Sequence, residues 1–182
     1  VYARLLDAIG RTERFVSSRG GTRSGKTYAS LEAVYKLACC DRRPTITSVV
    51  SETFPHLKRG AIRDFQAVLG DYWDESCWSR GEFVYTLPNG SIIEFFSADS
   101  PAKVHGPARD RLFLNEVQSI PWETARQLFV RTRGLVLMDY NPVASFWVNE
   151  RVETRDNCVT ITSTYKDNPY LTPEQVAEIE AN

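Results

Sequence analysis

The chain has 182 residues, 42% of them hydrophobic, which is enough to bury the core of one domain and excludes a fibrous or disordered chain. Its 22 basic and 23 acidic residues nearly balance, so a nucleic-acid partner would need a local basic patch. There is no signal-peptide pattern, no apolar run of the ~20 residues that cross a bilayer, and no Cys-x-x-Cys spacing among the four cysteines. We expect an intracellular protein, neither secreted nor membrane-embedded, with reduced thiols and no structural zinc.

The first 40 residues predict a helix, a strand and a second helix. Residues 1–9 form an amphipathic segment with Leu5, Leu6 and Ile9 on one side, and Gly10 is expected to end it. Residues 14–18 have the pattern of a short buried strand, and residues 28–38 carry apolar side chains at helical spacing. The segment between this strand and this helix is rich in glycine.

This glycine-rich segment matches the phosphate-loop pattern Gly-x-x-x-x-Gly-Lys-[Ser/Thr], in the strand–loop–helix context that the pattern requires. Without β-carbons at Gly20 and Gly25, successive backbone N–H groups can wrap a polyphosphate closely. Lys26 supplies a cation for the β- and γ-phosphates, Thr27 offers a hydroxyl to Mg²⁺, and the helix points its positive end at the anion. We therefore predict that ATP and Mg²⁺ bind here. The loop residues expected to contact the nucleotide are Gly20, Gly21, Thr22, Arg23, Ser24, Gly25, Lys26 and Thr27.

The next segment predicts a strand over residues 45–51, which are rich in β-branched side chains, and a helix over residues 54–69. Three basic residues lie early in this helix: Lys58, Arg59 and Arg63. We interpret them as part of a solvated helix face rather than as a DNA contact.

A β-hairpin is predicted where Asn89-Gly90 separates two β-rich runs, residues 82–87 and 91–96. This dipeptide is typical of a type I′ turn, in which both central residues have positive φ. We assign the aromatic residues of the hairpin to the core rather than to a base-stacking surface.

A short apolar strand over residues 111–114 is followed by Asn115 and Glu116. In phosphate-loop ATPases such a strand places two acidic residues beside the triphosphate, the first helping to hold Mg²⁺ and the second polarising the attacking water. We assign Glu116 as the general base and Asn115 as a metal ligand, although an amide binds Mg²⁺ more weakly than a carboxylate does. If Glu116 were structural, Asp110 and Asp139 would be the next candidates for the base.

The remaining segments alternate between helix and strand, which predicts a three-layer α/β domain with a mostly parallel central sheet and one antiparallel hairpin. They are a helix over residues 121–133, a strand over residues 135–140 ended by Asn141-Pro142, a short helix over residues 146–152, a strand over residues 158–163, and a helix that begins near Pro173.

Several separated motifs together resemble the N-terminal ATPase domain of the large terminase subunit, the motor that packages DNA in tailed phages. In order, they are the phosphate loop, residues 103–110 with the Asn115-Glu116 strand, Asn141-Pro142, Phe146-Trp147-Val148, and the Thr-Tyr-x-Asp-Asn-Pro stretch at residues 164–169. The resemblance covers nearly all 182 residues. It implies a P-loop NTPase of the additional-strand, catalytic-glutamate type over residues 1–182, without the ribonuclease-H-like nuclease domain that large terminases carry C-terminally.

The same resemblance extends the expected site. It places Arg23 with Lys26 and Glu116 among the catalytic residues, since the family has an arginine in its phosphate loop. It also adds Asn141 to the nucleotide contacts.

The resemblance further implies ATP hydrolysis that drives double-stranded DNA into a viral procapsid, in the cytoplasm of the infected bacterial host. The implied partners are the DNA, the portal protein, the small terminase subunit and further copies in a ring, while the isolated domain is expected to be monomeric. Four arginines are candidates for reaching a neighbouring subunit: Arg109, Arg126, Arg131 and Arg133. Two alternatives stay open, a phosphate-loop kinase, which would not need a glutamate that polarises water, and a non-catalytic nucleotide-dependent assembly module, which Asn115 allows.

Overall fold

The computed structural model describes residues 1–11 and 14–181. The helices of this part are α1 (Tyr2–Arg11), α2 (Lys26–Cys40), α3 (Phe54–Leu57), α4 (Arg63–Leu69), α5 (Pro101–Val104), α6 (Trp122–Val130), α7 (Trp147–Arg151) and α8 (Pro173–Glu180). The strands are β1 (Phe15–Gly20), β2 (Ile46–Ser51), β3 (Trp78–Ser79), β4 (Val84–Thr86), β5 (Ile92–Ser97), β6 (Arg111–Leu114), β7 (Val136–Tyr140) and β8 (Cys158–Ser163).

These strands form a single eight-stranded sheet in the order β3-β4-β5-β2-β6-β7-β1-β8. The six strands from β5 to β8 in this order run parallel, and β3 and β4 add an antiparallel edge. β7 lies between β1, which leads into the phosphate loop, and β6, which leads into Asn115-Glu116. One additional strand thus separates β1 from β6, as the additional-strand type of P-loop NTPase requires. The predicted fold class is confirmed.

Helices cover both faces of the sheet because successive strand residues point to opposite sides. On one face, Val16, Phe113 and Leu137 pack with buried residues of α1, α2, α3 and α4. On the other face, their neighbours Phe15 and Leu112 pack with residues of α5, α6 and α7. The central strands are therefore buried on both sides, as is usual for a parallel sheet.

Two predicted helices differ in detail from the observed ones. Residues 54–69 are not one α-helix, because a π-helical turn, Lys58–Ile62, joins α3 to α4. An ideal Cβ on Gly60, at the centre of this turn, would lie 4.0 Å from the Asn115 side-chain oxygen. The π turn thus lies beside the end of β6, and such turns are frequent at functional sites. In addition, α1 continues through Gly10 to Arg11.

The hairpin between β4 and β5 is present, but the predicted type I′ turn is wrong. The Gly90 N–H donates to the Leu87 carbonyl, so Pro88 and Asn89 are the central residues, and of these three loop residues only Gly90 has a positive φ, +83°. Since the proline ring holds φ near −65°, Pro88 cannot take the first central position of a type I′ turn.

In the middle segment, the basic side chains lie at the surface and the hairpin tyrosine is buried. Lys58, Arg59 and Arg63 are exposed, and Arg63 pairs with its neighbour Asp64. Tyr85 of the hairpin is buried and its ring packs against Trp73 and Phe65, so the hairpin aromatics do belong to the core. Across the described ranges, no helix has the length and apolar character needed to span a membrane.

Candidate functional site

The carboxyl ends of the parallel strands meet at one edge of the sheet, where ligands bind in open α/β folds. The phosphate loop begins there with Gly20, which pairs with Ser163 of β8. A Cβ on Gly20 would lie 2.1 Å from the Ser163 carbonyl oxygen. The contact between β1 and β8 therefore requires glycine at this position, in addition to the wrapping of phosphate that the loop pattern predicts.

The rest of the loop has the conformation of an anion cradle. Gly25 has φ +80° and is the N-cap of α2, so it has no side chain with which to cap the first turn. The first N–H groups of a helix have no intrahelical acceptor, and together with the helix dipole they attract an anion. The Ser24 hydroxyl is buried in the loop and has no hydrogen-bond partner among residues 1–11 and 14–181. These features fit a phosphate group.

Lys26 lies at the centre of this cradle and is only 8% exposed. Its Nζ donates to Asn141 Oδ1 at 2.6 Å and to the Gly21 carbonyl at 3.3 Å. Burial lowers the pKa of Lys26, while the charges of Asp139 and Glu116 act to raise it. The structure thus brings together Lys26 and Asn141, two residues 115 positions apart that were assigned to the nucleotide.

Arg23 is exposed, as are its loop neighbours Gly21 and Thr22, and it has a left-handed backbone, with φ +63°. Its carbonyl accepts a hydrogen bond from Asn168 Nδ2 at 2.8 Å. Asn168 belongs to the Thr-Tyr-x-Asp-Asn-Pro stretch, so that stretch holds the phosphate loop in place.

Behind the loop, the fully buried Asp139 at the end of β7 accepts three hydrogen bonds. Thr27 Oγ1 donates to it at 2.5 Å, the Glu116 N–H at 2.6 Å, and Asn115 Nδ2 at 3.3 Å. Burial raises the pKa of Asp139, and the bonds from Thr27 and the Glu116 N–H act against this rise. Asp139 thus connects the phosphate loop to the end of β6.

The side chains of Asn115 and Glu116, the two residues after β6, lie in different surroundings. Asn115 is buried, with its Oδ1 accepting from Ser51 Oγ at 3.0 Å and its Nδ2 directed to Asp139. Glu116 has φ +53°, which is strained for a glutamate, and its side chain is 42% exposed. Its Oε2 lies 3.1 Å from Nε2 of His56, just after β2. The Glu116 carboxylate is therefore accessible, whereas the Asn115 amide is engaged on both sides by the protein.

The oxygen-rich end of the site fits Mg²⁺, a hard cation that prefers oxygen ligands. Mg²⁺ keeps several water ligands, and substrate phosphates usually complete its coordination. Thr27 and Asp139 place a hydroxyl and a carboxylate together next to the phosphate loop. In the part of the chain that the structure describes, no cluster of three or more His, Cys, Asp or Glu residues forms a self-contained metal site.

A cleft of about 750 Å³ adjoins the loop on its exposed side. It is lined by Gly21, Thr22, Arg23, Thr164, Tyr165, Glu174, Gln175, Glu178 and Ile179. A volume of this size is within the range of small-ligand sites.

Comparison with known protein families gives one decisive match: the profile described as "Phage terminase large subunit" covers residues 12–182. The chain belongs to this family. No curated protein sequence matches it. The resemblance deduced from the separated motifs is thus confirmed.

Solved terminases share its fold. The large terminase of a thermophilic bacteriophage has a TM-score of 0.82 at 17% identity, over 94% of this chain and 45% of that one. The same phage terminase in complex with ATP-γ-S has a TM-score of 0.79 at 16% identity, over 94% and 44% of the two chains. The ATPase domain of the Thermus phage P74-26 large terminase has a TM-score of 0.60 at 19% identity, over 85% and 78%. The chain thus spans about 45% of the length of the first of these terminases.

The structure adds residues to this terminase site that the sequence analysis did not assign to it: Ser51, His56 and Asn168. Ser51 is the last residue of β2 and His56 lies in α3, the next helix, so the rule that ligands bind at the carboxyl ends of parallel strands could have indicated them. One candidate is removed, because Arg109 is 1% exposed and cannot reach a neighbouring terminase subunit. Its guanidinium lies over the Phe96 ring, inside its own domain.

Proposed function

We propose that this domain binds ATP with Mg²⁺ at the carboxyl edge of its sheet and hydrolyses it. The observation that carries the proposal is the position of Glu116. Its backbone N–H donates to Asp139, which also accepts a hydrogen bond from Thr27 of the phosphate loop, and its side-chain carboxylate is exposed. A base held beside the phosphate loop can orient a water molecule for attack on the terminal phosphate.

Each assigned residue has a role that its contacts support. Lys26 would exchange its bonds to Asn141 and Gly21 for bonds to phosphate oxygens, which are stronger because both partners are charged. Thr27 would help to hold Mg²⁺, which when bound neutralises charge on the phosphates. Arg23, exposed in the loop, would act on the phosphates of its own subunit, and the adjoining cleft would take the nucleoside.

Family membership extends the proposal to the working machine. Residues 1–182 would form the ATPase domain of a longer large terminase, since the chain spans 45% of the thermophilic-phage protein. Its ATP hydrolysis would move double-stranded DNA into a procapsid in the cytoplasm of the infected bacterium. The portal protein, the small terminase subunit and further copies in a ring would complete the motor, while the isolated domain would be monomeric or weakly associating.

Phosphate release with and without duplex DNA tests the proposal. We expect slow ATP hydrolysis by the wild-type chain, and a loss of about 10²–10⁴-fold in Glu116→Gln, the usual contribution of a positioned general base. The isostere should still bind ATP. Glu75→Gln is the matched control, because Glu75 is a half-exposed glutamate paired with Arg80 near the antiparallel edge of the sheet. Near wild-type turnover in Glu116→Gln would show that Glu116 is structural.

A further inference from the structure

The end of β6 lacks a carboxylate where the proposed Mg²⁺ site needs one, since the first residue after the strand is Asn115. The Asn115 side chain is also occupied, because its oxygen accepts from Ser51 and its nitrogen donates to Asp139. An amide held in this way offers the cation no full charge.

The nearest buried carboxylate is one strand away. β6 and β7 run parallel with Leu114 opposite Met138, so Asn115 and Asp139 are the next residues of the two strands at the same level of the sheet. On its other side, β7 pairs with β1, and Ser18 lies opposite Asp139. Asp139 is therefore closer to the phosphate-loop strand than Asn115 is, and it reaches Thr27 directly.

We propose that Asp139, at the end of β7, supplies to the Mg²⁺ site the carboxylate that Asn115 at the end of β6 lacks. This inference rests on the proposed function. It explains why an amide follows β6: two carboxylates side by side in a buried site repel each other, whereas Asn115 Nδ2 donates to Asp139. Asn115 and Asp139 thus form a pair of one amide and one carboxylate. The carboxylate lies on β7 instead of after β6, and the amide takes its place after β6.

The alternative role for Asp139 is purely structural, as a hydrogen-bond link between the phosphate loop and the end of β6. The affinity for Mg²⁺ distinguishes this structural role from a role in metal binding. We would measure the dissociation constant of a fluorescent ADP for the 182-residue chain in EDTA and over a MgCl₂ titration. The variants are Asp139→Asn, the exchange variant Asn115→Asp/Asp139→Asn, and Asp110→Asn. Asp110 is the matched control because it also accepts a backbone N–H, from Ile46, but it precedes β6 at the opposite edge of the sheet.

Mg²⁺ is expected to increase the affinity for ADP, and the titration gives the Mg²⁺ concentration that produces half of this increase. For Asp139→Asn we expect that concentration to rise about 10–100-fold, the usual effect of losing a group that supports a metal site. The affinity in EDTA should change less than about threefold, because the phosphate contacts stay. The exchange variant should regain the Mg²⁺ dependence, and Asp110→Asn should match the wild type.

An unchanged Mg²⁺ dependence in Asp139→Asn, or an equal loss of affinity with and without Mg²⁺, would overturn the inference while leaving the proposed function intact. If Asp139→Asn does not fold, as judged by thermal unfolding, the exchange variant decides: Mg²⁺ dependence supports the inference, and its absence overturns it. A wild-type chain that binds no ADP in either buffer would overturn the proposed function, and the inference with it.

Discussion

Lys26 is a buried cation whose present hydrogen-bond partners are a neutral amide and a carbonyl. Its contact with phosphate should be worth about 1.5–3 kcal/mol, the range for hydrogen bonds to charged groups. We therefore expect Lys26→Ala to weaken ATP binding roughly 10–150-fold, at about 1.4 kcal/mol per tenfold change. Equilibrium binding of a fluorescent nucleotide measures this. Lys36→Ala is the control, since Lys36 lies on the same helix but is exposed and pairs with Glu32.

Gly20 and Gly21 are adjacent but differ in what surrounds them. A Cβ on Gly20 would meet the Ser163 backbone at 2.1 Å, whereas one on Gly21 would meet no described residue within 4 Å. Gly20→Ala should destabilise the fold by about 1–3 kcal/mol, the usual cost of overpacking. For a chain of this size that is a fall in melting temperature of roughly 2–12 °C. Gly21→Ala should melt within about 2 °C of the wild type, and equal losses in both variants would contradict the strand-contact explanation.

Among the elements, the segment that joins α5 to β6 has an unusual core residue in Arg109. Its backbone bonds to Arg131 and Arg133 hold the end of α6 against the start of β6. Its side chain is buried, its Nε and Nη1 have no hydrogen-bond partner in the part of the chain that the structure describes, and burial lowers the pKa of the guanidinium. The ring of Phe96, 5.4 Å from the guanidinium carbon, and the charge of Glu94 both favour the charged guanidinium.

This environment predicts opposite outcomes for two substitutions of Arg109. Arg109→Met keeps the packing volume and removes the desolvated charge, so we expect it to be at least as stable as the wild type. Arg109→Ala should be about 2–5 kcal/mol less stable than the methionine variant, because it leaves a cavity. Denaturant unfolding of the three proteins measures these differences. A methionine variant as unstable as the alanine variant would show that the charge itself is required.

At the scale of the whole molecule, burial reduces the number of arginines with which one copy of the domain could contact the nucleotide of another copy. Arg126 is exposed on α6 and bonded to Glu123, and Arg133 is 70% exposed. Arg131 is partly buried and bonded to Gln127. Arg126 and Arg133 are thus the better candidates for an arginine that acts on the phosphates of another subunit.

If a neighbour supplies such an arginine, assembly should raise the rate of hydrolysis by about 10³–10⁵-fold. We therefore expect the rate per subunit to rise steeply with protein concentration, or on DNA that gathers several copies. Mixing Lys26→Ala, which keeps its arginines, with Arg126→Ala or Arg133→Ala should restore hydrolysis that neither variant has alone. Rates that are additive in the mixture and independent of concentration would exclude an arginine supplied in trans.

Local patterns in the sequence were enough to predict the phosphate loop, the alternation of helices and strands and the hairpin, while the order of separated motifs along the chain indicated the family. Each depends on neighbouring residues: a glycine loop between strand and helix, a helical or strand period, a turn dipeptide. Local reasoning was wrong about the hairpin turn and incomplete at Gly20, because in both cases a residue outside the pattern decides the geometry. Pro88 set the hairpin turn, and the Ser163 backbone sets the requirement for glycine at Gly20.

The remainder of the candidate site was decided by the order of the strands. Because β7 is inserted between β1 and β6, Asp139 contacts both Thr27 and Asn115, which lie 112 and 24 residues away in the chain. β2 brings Ser51 and His56 to the same edge. The sequence alone determined which chemical groups this domain carries. Which carboxylate is buried beside Thr27, which one is exposed, and which arginine is enclosed follow only from the tertiary structure, because burial depends on contacts between residues far apart in the chain.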